Sequence, residues 1–414
     1  MLYRILSYLI LLLMLPVIPF IPKIRGGMAA RLGLGREAGG PRRAIWMHGA
    51  SAGDLAALLP MAEAIRKLRP SQRLYVSTIT DTGILMGRRR FAGIAEVGYA
   101  PFDVPFAVRR TVRAVAPSAV VLEYTEVWPN MIATARRAGA KVILVNGRFS
   151  RSRMFWYRLF FALAGDPLRD VDLLLMRDED EAERAIALGA PASRVKVTGN
   201  TKFDALIRTT LAPEPPGLAE AVGAGHGRLV VFGSIHEGEE APVVETVAAL
   251  RKKFPDVRAL IAPRYLERSR SILGEARARG LSAALRSTGP GTADVVVLDT
   301  IGELAHAYRY GELAFVGGSM TLRGGQNILE PAVQGKVVLF GPHMQNFADC
   351  VSLLTGRGGI MTKNGGQLLS VLTELLPRGP KLRELGEMAR KAVLGTSGAT
   401  EKNVGHILQL VGEG

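Results

Sequence analysis

The stretch Gly311–Phe347, GELAFVGGSMTLRGGQNILEPAVQGKVVLFGPHMQNF, decides the fold of this 414-residue chain. Leu313–Val316 is a short apolar run of the kind buried in a parallel sheet, and it ends in Gly317-Gly318-Ser319. Arg323-Gly324-Gly325-Gln326-Asn327 follows, then Glu330-Pro331, then a second strand-like run, Val337–Phe340. Glycines let a loop approach a ligand with no Cβ in the way. At the carboxyl end of a parallel strand such a loop turns backbone N–H groups toward an anion, helped by the dipole of the next helix. The Ser, Arg, Gln, Asn and Glu gathered here suit phosphate, sugar hydroxyls and a base edge. An ordinary strand–loop–helix turn explains the glycines but leaves that polar cluster without a purpose.

The same alternation extends in both directions. Ala44–His48 and Leu74–Thr78 read as strands with a helix, Asp54–Leu68, between them. Ala119–Leu122, Val142–Val145, Leu173–Met176 and Val195–Thr198 continue the series, with helical patterns such as Asp180–Leu188 interposed. Leu211–Gly227 is rich in Pro and Gly and has little core-forming periodicity, so it reads as a linker. A second series begins at Leu229–Phe232 and runs through Ala259–Ile261, Val295–Leu298, Leu313–Val316 and Val337–Phe340. Strands alternating with helices imply parallel sheets with right-handed crossovers. The expected organisation is an N-terminal segment (1–35), a first doubly wound domain (36–210), a linker (211–227) and a second doubly wound domain (228–414), the two facing a cleft.

Lys and Arg number 53 against 37 Asp and Glu, a formal net charge of +16, which favours a polyanionic partner. The arginines are dispersed, without the aromatic interleaving of a single-strand binder, and no nucleic-acid module is recognisable. An anionic membrane surface is the better fit. Cys350 stands alone, which excludes an internal disulfide or a cysteine metal site and suits a reducing compartment. Ile5–Ile21 is apolar apart from Ser7 and Tyr8, is closed by Pro16, Pro19 and Pro22, and is followed by Lys23, Arg25 and Arg31. It reads as an uncleaved membrane anchor, spanning or lying in the interface, with the basic flank on the cytoplasmic side.

Several residues stand where chemistry would be done. Asp54 opens a helix after the glycine turn Gly49–Gly53, a position at which Asp commonly caps. Gly233-Ser234 forms the turn after strand Leu229–Phe232, where backbone amides suit a donor phosphate. Arg264 ends the next strand and can pair two-pronged with a phosphate or a carboxylate. No set of His, Asp and Glu has metal-ligand spacing. A metal-independent, cofactor-free reaction is therefore expected, with Arg264 and Lys202 offsetting negative charge.

The chain resembles the bacterial Kdo transferases, which move 3-deoxy-manno-octulosonic acid to lipid A. Collinear matches are His48–Asp54 (HGASAGD), Thr125–Asn130 (TEVWPN), Val145–Ser150 (VNGRFS), Thr198–Asp204 (TGNTKFD), Gly233–Glu240 (GSIHEGEE), Pro263-Arg264, Gly302–Leu304 (GEL) and the opening block through His343. The resemblance implies a GT-B fold and an inverting transfer from CMP-Kdo to a lipid A-type phosphoglycolipid at the cytoplasmic face of the inner membrane. It makes Asp54 the general base, with the helix cap as the rival reading, and Glu126 a second acid of the acceptor site, alongside Ser51, Gly53 and Lys202. It assigns Gly233, Ser234, Arg264, Gly317, Gly318, Ser319, Asn327 and Glu330 to the donor, with Glu330 on the ribose hydroxyls. The family has Glu where Asp54 stands, His where Tyr265 and Gln326 stand, and Glu where Tyr124 stands, an acid here displaced to Glu123. Those departures keep open a divergent paralogue with another donor or acceptor. A nucleotide-sugar epimerase of the same fold, or a catalytically dead membrane protein built on it, are the remaining alternatives.

Overall fold

Apolar runs too short for helices and too continuous for amphipathic strands build two parallel sheets in the computed structural model, which describes residues 2–22, 24–34, 43–288 and 291–412. Lys23 and the expected boundary at 35/36 lie outside the described residues. The first sheet comprises β1 (Ala44–His48), β2 (Arg73–Thr78), β3 (Glu96–Tyr99), β4 (Pro117–Glu123), β5 (Lys141–Gly147), β6 (Leu173–Met176) and β7 (Val195–Val197). Its order is β3-β2-β1-β4-β5-β6-β7, every pairing parallel. All five residues of β1 are buried, because helices cover both faces of the sheet.

The second sheet comprises β8 (Arg228–Ile235), β9 (Val257–Pro263), β10 (Ala283–Leu285), β11 (Val295–Val297), β12 (Leu313–Val316), β13 (Val337–Phe340) and β14 (Gly359–Met361). Its order is β10-β11-β9-β8-β12-β13-β14, again parallel throughout. In each sheet the direction of winding reverses once, between β1 and β4 and between β8 and β12. Loops leaving the carboxyl ends on either side of such a point diverge and leave a crevice for a ligand.

The chain divides into two units, Met1–Ala205 with Ser397–Gly414, and Leu206–Thr396. The division differs from the expected one at both ends. The C-terminal helix Ala399–Val411 belongs to the first unit, where Val404 and Ile407 join Leu58, Met61 and Ile65 in one buried cluster. Its amino end is held there by Asp204, whose carboxylate accepts from Gly398 N at 3.0 Å and Thr400 N at 2.6 Å. The expected linker contains a helical turn, Leu218–Ala221, with Leu218 and Val222 fully buried.

Of the two forms expected for an N-terminal anchor, spanning or interfacial, no spanning helix is found among the described residues. The apolar run makes one helix, Leu2–Met14, of 13 residues. At 1.5 Å per residue it reaches about 20 Å against a hydrocarbon core of about 30 Å. No described helix is long and apolar enough to cross a membrane. Pro16 and Pro19 break the run, which continues as the short turn Ile18–Phe20. The helix is instead tied to the first unit. Tyr3 donates its hydroxyl to Asp103 at 2.9 Å, and Asn130 Nδ2 donates to Ser7 Oγ at 3.2 Å.

Candidate active site

At the reversal point of the first sheet, β1 runs into Gly49-Ala50 and then the helix Ala52–Leu68. Ser51 is that helix's N-cap, so Asp54 occupies the third helical position. Asp54 Oδ2 accepts from Ser51 N at 3.1 Å and from Ser51 Oγ at 2.8 Å, the acid's half of a capping box. Its other oxygen, Oδ1, faces Lys202 Nζ at 3.2 Å. Gly49 permits this approach, since a Cβ there would stand 2.9 Å from that of Asp54. Gly53 has no such constraint, with only Ser51 Oγ near a built Cβ, at 3.7 Å. Cap and base are therefore not exclusive: one oxygen finishes the helix while the other sits beside a cation.

Lys202 is the second residue of the helix Thr201–Thr210, and its ammonium lies 4.4 Å from the centre of the Tyr124 ring. Tyr124 leaves the end of β4 with φ of 66°, and Arg148 donates to its hydroxyl. Glu126 stands close by in sequence but makes no ion pair with an arginine among the described residues. Its Oε2 accepts from Trp128 Nε1 at 2.8 Å and faces His48 Nε2 at 3.5 Å. His48 is wholly buried, with Nδ1 2.9 Å from Ser77 Oγ. The Trp46 indole N–H can only donate, and it donates to that same oxygen at 2.7 Å. Trp128 is half-buried and packs against the core, in keeping with a packing role.

In the second unit, the carboxyl ends of β8, β9, β11 and β12 surround a cavity of about 670 Å³, a size that suits a nucleotide sugar. Ser234, Arg264, Asn327 and Glu330 line it, together with Tyr265, Gln326 and the Thr300–Gly302 loop. Asn327 brackets the turn: Oδ1 accepts from Leu329 N at 3.1 Å and Nδ2 donates to Glu330 Oε1 at 3.3 Å. Burial pushes the Glu330 carboxyl up to about 7, against the bond from Asn327. Arg264 is exposed at the rim, its guanidinium 5.4 Å from the centre of the Tyr265 ring.

Four of the expected donor residues do not face this cavity. Gly233 accommodates the buried Tyr308, whose hydroxyl would lie 1.9 Å from a Cβ added there. Gly317 N donates to Gly233 O at 2.8 Å, and the amides of Gly318 and Ser319 point at the Glu239 carboxylate, at 2.7 and 3.1 Å. Glu239 also accepts from Met320 N at 2.9 Å and His236 N at 3.0 Å. An internal acid thus occupies the anion-binding geometry that the glycine pattern suggests. Its place in the sequence motif gave no sign of this, since an acid near a helix start is ordinarily read as favouring the helix dipole.

Two positions at which the chain departs from the family pattern meet at one side chain. Gln326 Nε2 lies 3.1 Å from His236 Nε2, and Tyr265 packs edge-on to the same ring at 5.7 Å between centroids. Burial, and then the charges of Arg264 and Arg323, push the His236 pKa below its ordinary value, outweighing the pull of Glu239.

Residues 26–205 match the family model described as 3-deoxy-D-manno-octulosonic-acid transferase (kdotransferase). A 3-deoxy-D-manno-octulosonic acid transferase from Bordetella pertussis is 30% identical over 375 residues, covering 87% of this chain and 86% of its own length. One from Haemophilus influenzae is 27% identical over 387 residues, covering 92% and 90%. Among solved structures, the UDP-GlcNAc 2-epimerase from Neisseria meningitidis bound to UDP-GlcNAc superposes with a TM-score of 0.63 at 12% identity, over 88% of this chain and all (100%) of that one. Identity that low shows a shared fold and nothing about activity.

Proposed function

The chain belongs to the 3-deoxy-D-manno-octulosonic acid (Kdo) transferases, and on that premise we propose that it moves Kdo from CMP-Kdo to a lipid A precursor during lipopolysaccharide synthesis, inverting the anomeric centre. It is a glycosyltransferase, and its two doubly wound units are of the GT-B type. The observation that carries the reading is the Asp54–Lys202 pair at 3.2 Å, built from two separate family motifs at the reversal point of the first sheet. Asp54 Oδ1 takes the proton of an acceptor hydroxyl, whose oxygen bonds to the anomeric carbon as the bond to the CMP phosphate oxygen breaks. CMP departs with that electron pair. The Lys202 ammonium holds the carboxylate in place and helps to draw in an anionic acceptor, and Glu126, fixed by Trp128 and faced by His48, orients the same substrate. In the second unit Glu330 takes the ribose hydroxyls, and Arg264 pairs with the phosphate or the sugar carboxylate.

The acceptor's membrane origin gives the N-terminal helix a use. Leu2, Ile5, Leu9, Leu12 and Leu13 are exposed on it, and Phe155 (69% exposed) and Trp156 (64% exposed) project from the helix Met154–Ala164. Tyr3 and Phe160 join the two helices edge-on at 5.7 Å, and Arg151, Arg153 and Arg158 are exposed beside them. Such a surface would lie in the headgroup region of an anionic membrane, the cytoplasmic face of the inner membrane, rather than cross it.

A second reading, a paralogue with another nucleotide sugar, is favoured by the Tyr265–His236–Gln326 cluster. Radiolabelled transfer by purified protein decides between them, with CMP-Kdo and other nucleotide sugars offered in parallel to tetra-acyl lipid A. Transfer from CMP-Kdo alone supports the first reading, and transfer from another donor alone replaces it.

A further inference from the structure

β4 and β5 run in register to Glu123 and Val145. Both strands then carry a non-glycine residue in the left-handed region, Tyr124 at φ 66° and Asn146 at φ 55°. Each such residue costs on the order of 1–3 kcal/mol and persists only when its surroundings hold it. Between them sits the Glu123 side chain, with no exposed surface. Asn146 Nδ2 donates to its Oε1 at 2.8 Å, while Oε2 has no hydrogen-bond partner. A buried carboxyl with an empty acceptor is costly, and far more so as an anion. Burial pushes it up to about 8, against the Asn146 bond and the charges of Lys202 and Arg177, with Asp54 adding to the rise. Those four groups face Glu123 from β5, from the helix Thr201–Thr210, from the segment after β6 and from the helix Ala52–Leu68.

All of this centres on Lys202, held between Asp54 at 3.2 Å and the Tyr124 ring at 4.4 Å. We propose that Glu123 is a positioning residue for the Asp54–Lys202 pair: neutral, it leaves the Lys202 ammonium to Asp54, and ionised, it competes for that ammonium. The left-handed turn at Tyr124 has a purpose on this account, since it brings the next side chain to Lys202 while Glu123 stays buried. Glu123 touches no substrate and moves no proton in the reaction.

The activity arm of the test rests on the transfer reading given above; the spectroscopic arm does not. With Glu123 titrating near 8, its neutral fraction falls about tenfold between pH 7 and pH 9, and kcat should fall with it. Glu123→Gln holds the neutral form, its amide met by turning that of Asn146. Its kcat, normalised to its own value at pH 7, should lose the alkaline limb, whereas Glu123→Asp should keep one. The same limb in Glu123→Gln, or none in the wild type, overturns the proposal. Should Glu123→Gln fail to fold, infrared difference spectra of Glu330→Gln between pH 7 and pH 9 still test it, because that background lacks the Glu330 carboxyl, pushed up to about 7, and Asp103, pushed up only to about 6, is already mostly ionised at pH 7. A protonated-carboxyl band must disappear across that interval, and its absence at pH 7 overturns the proposal whatever the reaction proves to be.

Discussion

Asp54→Asn separates the capping bond that the structure shows from the general-base role proposed for the same side chain. At the third helical position Asn keeps the capping-box bond, because its Oδ1 can still accept from Ser51 N. What is lost in the folded state is the ion pair with Lys202, whose side chain is 37% exposed, and a pair that open to solvent is worth about 0–1 kcal/mol. For a unit of this size that corresponds to a shift in Tm of at most about 4 °C. On the proposed role, the reaction loses its proton acceptor, about 10²–10⁴ in kcat, or roughly 3–5 kcal/mol of barrier. The two losses are read separately, by thermal unfolding and by initial rates of radiolabelled transfer at saturating donor and acceptor. CMP affinity, proposed above to reside in the second unit, serves as the control for an intact donor site. A variant that melts normally, binds CMP normally and transfers within about threefold of wild type would show that Asp54 is only the third residue of a capping box. Asp54→Glu restores the family's residue: a faster rate marks the shorter acid as a handicap, and a slower one shows a pocket built around it.

Glu330→Ala should weaken CMP binding at least tenfold, about 1.4 kcal/mol, without unfolding, as measured by calorimetry. Because the Glu330 carboxyl is pushed up to about 7 and accepts more strongly from hydroxyls when ionised, wild-type CMP affinity should rise from pH 6 to pH 8, and Glu330→Gln should flatten that dependence. Glu239→Ala strands four backbone amides and should cost the second unit at least about 3 kcal/mol in denaturant unfolding; a loss under 1 kcal/mol would contradict the bonding described. Deleting residues 1–22 should move the protein partly out of the membrane fraction and leave a remainder that high salt releases. Complete, salt-resistant retention of the truncated protein would refute the interfacial role of the first helix.

The alternating pattern made both sheets legible, because strands buried on both faces must be continuous apolar runs; β1, β6, β12 and β13 have the expected limits. The strands that escaped notice, β3, β10 and β14, lie at or near sheet edges and carry residues such as Glu96 and Gly359 that satisfy no burial pattern. Asp54 and Lys202, and Asn327 and Glu330, were readable as candidates because each travels with a motif, and the structure brings each pair into contact. The use of the Gly318 and Ser319 amides was not, since an acid 79 residues earlier in the chain takes them and no local pattern reports so distant a partner. The buried side of Leu2–Met14 was hidden for the same reason: Asp103 and Asn130 define it, and they fold up against it from far along the chain.

The return of the last helix to the first unit reverses the order in which the two can be completed on the ribosome. All of the second unit, Leu206–Thr396, emerges before Val404 and Ile407 arrive to fill the hydrophobic cluster of the first. During synthesis the earlier sheet therefore waits with one face uncovered while the later one closes. Each of those two side chains contributes about 1.5–3 kcal/mol when it finally docks. A chain released near residue 396 would carry a complete second unit and an incomplete first one, so premature stops at the far C-terminus should injure the half encoded first.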